Sequence, residues 1–295
     1  MARSGITAKS FLGLQVLWLI VALLAGAQLN AELVTKTITG PITGDQITFD
    51  LYLPESYGER GERYPVIYNL HGRGGSYQSR AQMKFRQAMV RATAKGILPP
   101  VISVYPDGTK NGWYADSKDR TLRIETHIIR EIIPWVDENC RTKASRDFRV
   151  IQGMSMGGYG ASLLAVKFPE LFCICVNYDG AMWNWENMTK QSRQWKPVAP
   201  VMFDNDREYY ERTSSPWTFA SLNRDRIKGQ VRFRTIVGSL GEWLQNWQSH
   251  LHSLGIEMDY VETNCKHNLE CLHEAAGEGS FRLMAEQFAK AAKKE

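Results

Sequence analysis

The stretch Phe148-Arg149-Val150-Ile151-Gln152-Gly153-Met154-Ser155-Met156-Gly157-Gly158-Tyr159-Gly160 decides the fold. Its short apolar run at 148–152 reads as a buried strand, and a helix is expected to begin near Ser155. Between them lies the pattern G-x-S-x-G. A serine hydroxyl is a weak nucleophile and must stand clear of the sheet where a base can reach it. The turn that lifts it is so tight that side chains two residues to either side would collide. Gly153 and Gly157 occupy those two positions. Ser155 is therefore the candidate nucleophile. The helix that follows directs its first amides and its positive dipole end toward a developing oxyanion, with the Met156 N–H as one donor.

On either side, short apolar runs alternate with longer helical patterns, the rhythm of βαβ units. Residues 46–53 alternate and end at Pro54, as an antiparallel early strand does. Buried runs follow at 66–70, 101–105, 173–178 and 231–237, with a last one at 257–261, and a long amphipathic pattern spans 122–140. Buried runs separated by helices predict an α/β fold whose central sheet is mostly parallel and covered by helices on both faces. The run at 66–70 enters His71-Gly72-Arg73-Gly74-Gly75, whose glycines let backbone approach an acyl carbonyl closely. The Arg73 N–H is the expected second oxyanion donor. The stretch 181–229 breaks the rhythm with Trp183, Trp185, Trp195 and Trp217. It reads as an insertion or lid over the carboxyl ends of the strands, where open α/β sheets bind ligands. A surface excursion packed by its own tryptophans is the plainer alternative.

The chain has 295 residues, 43% hydrophobic and 23% charged, with no repeat or Pro/Gly-rich linker to separate two cores. That favours one domain over 28–295. A net charge of +5, with basic residues scattered among acidic ones, gives nucleic-acid binding little support. Residues 1–27 place Arg3 and Lys9 before an apolar run that is short for a membrane span, then Ala25-Gly26-Ala27. This is the layout of a signal peptide, so the mature protein is expected to be secreted or periplasmic and free of the membrane. Cys173 and Cys175 read as small buried hydrophobes. Cys265 and Cys271 bracket His267, which leaves a local disulfide in an exported chain as one reading. Zinc binding with His267 or His273 is the weaker one, because the remaining ligand has no obvious source.

The segments Leu70-His71-Gly72-Arg73-Gly74-Gly75, Tyr105-Pro106-Asp107-Gly108, Trp113-Tyr114, Glu131-Ile132-Ile133-Pro134-Trp135-Val136 and Gly153-Met154-Ser155-Met156-Gly157-Gly158-Tyr159-Gly160 resemble the putative-esterase group of α/β-hydrolases. That group includes esterase D (S-formylglutathione hydrolase), feruloyl and acetyl xylan esterases, and mycolyltransferases. The likeness runs from 48 to 288. It implies an α/β-hydrolase fold, an acyl-serine mechanism with Ser, acid and His in that chain order, and no metal or cofactor. His267 matches the triad histidine, in a loop past the last strand. His127, His250, His252 and His273 fall in helical patterns. His71, at the oxyanion loop, reads as a structural partner rather than a base and is a candidate substrate contact, and Trp113 is a candidate to stack against sugar or aryl groups, with core packing as its plainer alternative. The group's acid follows the strand at 231–237 in a Gly-x-x-Asp arrangement. Here Val237-Gly238-Ser239-Leu240-Gly241-Glu242 has Gly241 at that spacing and Glu242 one place later. Glu242 is the first choice of acid, because a longer side chain can orient a histidine from a displaced backbone. Asp179, at the end of the preceding strand, is its rival.

The expected function is a secreted serine carboxylesterase acting on a small-molecule or carbohydrate ester, such as an acetylated or feruloylated sugar. Three other readings stay open: an acyltransferase on the same residues, a non-catalytic binding module on the same fold, and a serine peptidase. Nothing in the sequence fixes the oligomeric state.

Overall fold

A computed structural model describes residues 31–58, 61–190 and 197–294. The expected signal segment, 1–27, and Trp195 lie outside the described residues. Eight strands form one sheet: β1 (Glu32–Thr39), β2 (Gln46–Leu53), β3 (Val66–Leu70), β4 (Ile102–Pro106), β5 (Arg149–Met154), β6 (Ile174–Tyr178), β7 (Arg232–Val237) and β8 (Met258–Glu262). Their order is β1-β2-β4-β3-β5-β6-β7-β8. β1 and β2 pair antiparallel, β2 meets β4 antiparallel, and every pair from β4 to β8 is parallel. The expected strands are all present, in the mostly parallel sheet of an α/β-hydrolase.

The two faces follow from the two-residue period of a strand. Val66, Tyr68 and Leu70 of β3 and Ile151 of β5 pack on one side, against the helices Ile133–Asn139, Met156–Lys167 and Gly241–Ser253. Ile67 and Val150 point the other way, into a core shared with Arg80–Ala94 and Glu278–Ala292. β3, β5 and β6 are buried along their whole length, which is why their sequences read as continuous apolar runs rather than alternations.

β1 was not expected from the sequence. Only Val34, Lys36 and Ile38 of its eight residues are half-buried and the rest are exposed, so its alternation is weak. The expected helix at 122–140 is present but not regular. Its middle, His127–Ile132, is a π-helical stretch in which Ile133 N–H bonds to Ile128 O, five residues back. Pro134 lacks an N–H and its ring would crowd the carbonyl four residues back, so the wider turn suits it. The buried Glu131 of that stretch accepts hydrogen bonds from the Ile42 and Thr43 amides at 3.1 and 2.9 Å, tying the β1–β2 turn to the helix.

The described residues of the stretch 181–229 contribute five short helices, Trp185–Thr189, Ala199–Met202, Arg207–Thr213, Pro216–Leu222 and Arg224–Ile227, between β6 and β7. Three carry side-chain N-caps, from Asn184, Asp206 and Ser215, which hold short helices that propensity alone would not.

Candidate active site

Ser155 sits between β5 and the Met156–Lys167 helix with φ 58 and ψ −119, a conformation side chains rarely adopt. Neighbouring backbone holds it there. Ser155 N–H donates to Tyr178 O at 3.2 Å, and Ala181 N–H donates to Ser155 O at 3.0 Å. A Cβ on Gly153 would lie 2.2 Å from Gly157 O, and one on Gly157 would lie 2.1 Å from Leu70 O. Both flanking glycines are therefore sterically required, as the motif predicts.

The loop after β3 is held by two other segments of the family resemblance, Tyr105-Pro106-Asp107-Gly108 and Trp113-Tyr114. His71 is fully buried, and its Nε2 accepts the Gly108 N–H at 2.9 Å, which places the ring proton on Nδ1. The Tyr114 hydroxyl donates to His71 O at 2.9 Å, while Gly108 and Gly160 leave room for the Tyr114 ring. Gly74 N–H bonds Lys110 O at 2.8 Å. His71 thus bolts the loop to the turn after β4. The expectation that it contacts substrate is corrected: its ring is sealed in the core and does not line the cavity.

That cavity, about 400 Å³, opens over Ser155 and is lined also by Arg73, Met156, Trp113, Trp183 and His267. Its size suits a small ligand. Both residues expected to supply oxyanion amides, Arg73 and Met156, stand at its wall with the serine. Trp113 lines it as expected. Its ring lies 4.7 Å from that of Trp183, which meets Trp243 edge-on at 5.7 Å. The tryptophans of the 181–229 stretch divide. Trp183 faces the cavity, while Trp185 packs on Tyr210 and Trp217 on Trp247 away from it.

His267 lies in the loop between β8 and the Leu269–Leu272 helix. Cys265 and Cys271 are joined by a disulfide that closes this loop, and Asn268 caps the helix by accepting from the Glu270 and Cys271 amides. The bond uses both sulfurs that a zinc site would need. His267 Nδ1 is 2.7 Å from Asp179 Oδ2. Among the described residues no hydrogen bond joins Ser155 Oγ to His267, although the two share the cavity wall. Such bonds are often long in sites without substrate and close on binding.

The expectation for Glu242 is corrected here. The carboxylate beside His267 is Asp179, at the end of β6, whereas Glu242 is exposed in the first turn of the Gly241–Ser253 helix and does not line the cavity. The loop after β7 still contributes, but through its backbone. Gly238 and Leu240 amides donate to Asp179 Oδ1 at 2.9 and 3.0 Å, and the Ser239 amide donates to Oδ2 at 3.1 Å. Burial by itself would push the Asp179 carboxyl up. The bond to His267 and the Leu240 and Gly238 amides outweigh it, holding the group below the usual carboxylate range. Asp179 itself has φ 46, and a Cβ on Gly238 would come within 2.8 Å of its Oδ2.

Comparison with known proteins bears on the family and the fold. The family described as Putative esterase matches residues 40–217, more than half of the chain. An esterase of Mycobacterium tuberculosis is 34% identical over 134 residues, covering 44% of this chain and 28% of that protein. An endo-1,4-beta-xylanase/feruloyl esterase of Xylanibacter ruminicola is 36% identical over 137 residues, covering 44% of this chain and 19% of that one. The chain thus matches less than a third of the length of either relative. Among solved structures, a ferulic acid esterase superposes with TM-score 0.74 at 19% identity, over 88% of this chain and 99% of that one. An S-formylglutathione hydrolase from Staphylococcus aureus superposes with TM-score 0.70 at 15% identity, over 87% and 99%. At those identities the superpositions speak for the fold, and the family match speaks for membership: the chain belongs to the putative-esterase family of α/β-hydrolases.

Proposed function

We propose that the protein is a serine esterase with the triad Ser155, Asp179 and His267. The observation that carries this reading is the 2.7 Å contact between His267 Nδ1 and Asp179 Oδ2, in a cavity shared with a serine on a strained elbow. Asp179 keeps the imidazole proton on Nδ1, so Nε2 is free to take the proton of Ser155 as its oxygen attacks the ester carbonyl. The Arg73 and Met156 amides stabilise the oxyanion. His267 then gives the proton to the departing alcohol, the carbonyl re-forms, and an acyl-serine remains. Water, deprotonated by the same histidine, releases the acid.

The related proteins named as feruloyl or ferulic acid esterases and the aromatic wall of Trp113, Trp183 and Trp243 favour an ester of a carbohydrate or aryl acid. An acyltransferase uses the same groups and differs only in whether an alcohol outcompetes water. Secretion after cleavage of residues 1–27 is part of the same proposal, and the Cys265–Cys271 bond suits an oxidising compartment.

The test is to incubate purified protein with p-nitrophenyl acetate and an acceptor alcohol. Free acetate is the expected product. Acyl transfer to the alcohol would make it a transferase, and absence of turnover together with failure of a fluorophosphonate to label Ser155 would overturn the reading.

A further inference from the structure

The charges on the cavity wall are one-sided. Of the eleven described residues lining it, Arg73 and Lys190 are basic and none is acidic. Asp179 does not redress this, because it is fully buried behind His267 and its oxygens are engaged by His267 and three backbone amides. Elsewhere the cations of this chain are commonly paired, as Lys167 is with Glu125, Lys118 with Asp206 and Arg149 with Asp137. Lys190, by contrast, makes no ion pair with a described residue. It is the C-cap residue of the Trp185–Thr189 helix and lines the cavity.

Arg73, half-buried at a wall shared with Trp113, Trp183, Trp243 and Leu240, acts through a medium less polar than water and is felt more strongly by a bound anion, and the exposed Lys190 adds a second, more screened positive charge. Burial already draws the Arg73 guanidinium below its ordinary pKa, a sign that its charge is partly stripped of water. It remains charged at any physiological pH. An anion in the cavity is attracted by these positive charges, while a neutral ester is not.

We propose that the favoured substrates are esters that carry a carboxylate away from the scissile bond, with Arg73 and Lys190 holding that carboxylate while the tryptophans take the apolar body. This rests on the serine-esterase reading above and adds the charge of the substrate to it. The carboxylate can stand on the acyl or on the alcohol side, so two matched pairs are needed. The first is p-nitrophenyl valerate against mono-p-nitrophenyl glutarate, and the second is ethyl benzoate against benzoyloxyacetate.

In at least one pair, kcat/KM for the anionic member should exceed that for the neutral one by about tenfold, mostly through KM, the scale of two partly exposed ion pairs. The preference should shrink toward unity as NaCl rises from about 0.02 to about 0.5 M. It should invert in Lys190→Glu and weaken in Arg73→Gln. Neutral esters turned over without any anionic preference in either pair would overturn the inference and leave the esterase reading standing. So would a preference that survives both substitutions. If no ester is turned over, the esterase reading fails, and quenching of tryptophan fluorescence by benzoyloxyacetate decides the anion site alone. Salt-sensitive binding lost in Lys190→Glu supports it, and no binding overturns it.

Discussion

The loop after β5 and the loop after β7 both leave the carboxyl end of a parallel strand and both lead into a helix, yet they build the site by opposite means. After β5 the backbone is strained so that one side chain, Ser155, can be presented, and Gly153 and Gly157 are there because no Cβ fits. After β7 no side chain takes part in the triad, although Leu240 lines the cavity. The amides of Gly238, Ser239 and Leu240 converge on a carboxylate that belongs to the neighbouring strand. The first loop should be sensitive to what its central residue is, and the second only to where its backbone runs.

The largest effect belongs to the first loop. Ser155→Ala should cut ester turnover by roughly 10⁴ to 10⁶, because the nucleophile is absent while binding and oxyanion amides remain. Stopped assays with p-nitrophenyl acetate and mass spectrometry after fluorophosphonate treatment measure it. Turnover within tenfold of the parent would place the nucleophile elsewhere.

Next is the carboxylate that joins the two loops. Asp179→Asn keeps the shape but puts an NH₂ in place of one oxygen, facing either the Gly238 and Leu240 amides or the Ser239 amide and His267, and it disturbs the imidazole tautomer, so kcat should fall by about 10⁴. Leaving buried donors unpaired should also cost about 1–3 kcal/mol of stability at neutral pH. The pH dependence has a definite sign. Because the folded pKa of Asp179 is depressed, the stability it contributes is fully present above the unfolded value, near 3.9, and is lost as pH falls through the lower folded value. Urea titrations should therefore show parent and variant converging below about pH 4. A gap that stays constant with pH would mean that Asp179 is not held as a carboxylate.

Gly238→Ala probes the second loop alone. The added Cβ would press on Asp179 Oδ2 and on Lys266 O, at 2.8 and 2.9 Å, and must displace one of them. A shift of this order in a group that orients the base should lower kcat by about 10- to 100-fold. Ser239→Ala leaves the amide in place and should change kcat by less than about threefold. If the two variants behave alike, the amides are not what positions Asp179.

The same contrast explains what was legible in the sequence. The elbow could be read because its function constrains residue type at fixed spacing, and the buried strands because both faces of the sheet are covered. His267 could be placed because the family resemblance implies a triad histidine in a loop past the last strand, and this chain carries one there. The carboxylate was harder, since the Asp179 cradle is made of amides that every non-proline residue carries. The available signal was a single acid directly after the fully buried run of β6, and the acid at 242 competed with it on spacing alone. His71 was misjudged for a related reason. Its neighbourhood to the oxyanion loop is visible in the sequence, but its bond to the Gly108 amide depends on β3 and β4 lying side by side, which the sequence does not order.

The smallest expected effect is also the one that tests the acid assignment most directly. Glu242 is exposed in the first turn of the Gly241–Ser253 helix, two residues beyond the last amide of the cradle. A carboxylate there interacts favourably with the helix N-terminus, worth about 0.3–1 kcal/mol when exposed, and removal of its charge should cost no more than that. Its charge lies outside the cavity wall, so neither the His267 tautomer nor the Ser155 proton depends on it. Glu242→Gln should accordingly keep kcat within about threefold of the parent while lowering thermal stability slightly. Steady-state kinetics beside thermal melts separate the two. A fall in kcat approaching that of Asp179→Asn, with an unchanged melt, would mean that the loop after β7 supplies a side chain during turnover and that the distinction between the two loops fails. Equal small effects from Glu242→Gln and Ser239→Ala, beside a large one from Gly238→Ala, would instead confine the contribution of this loop to its backbone.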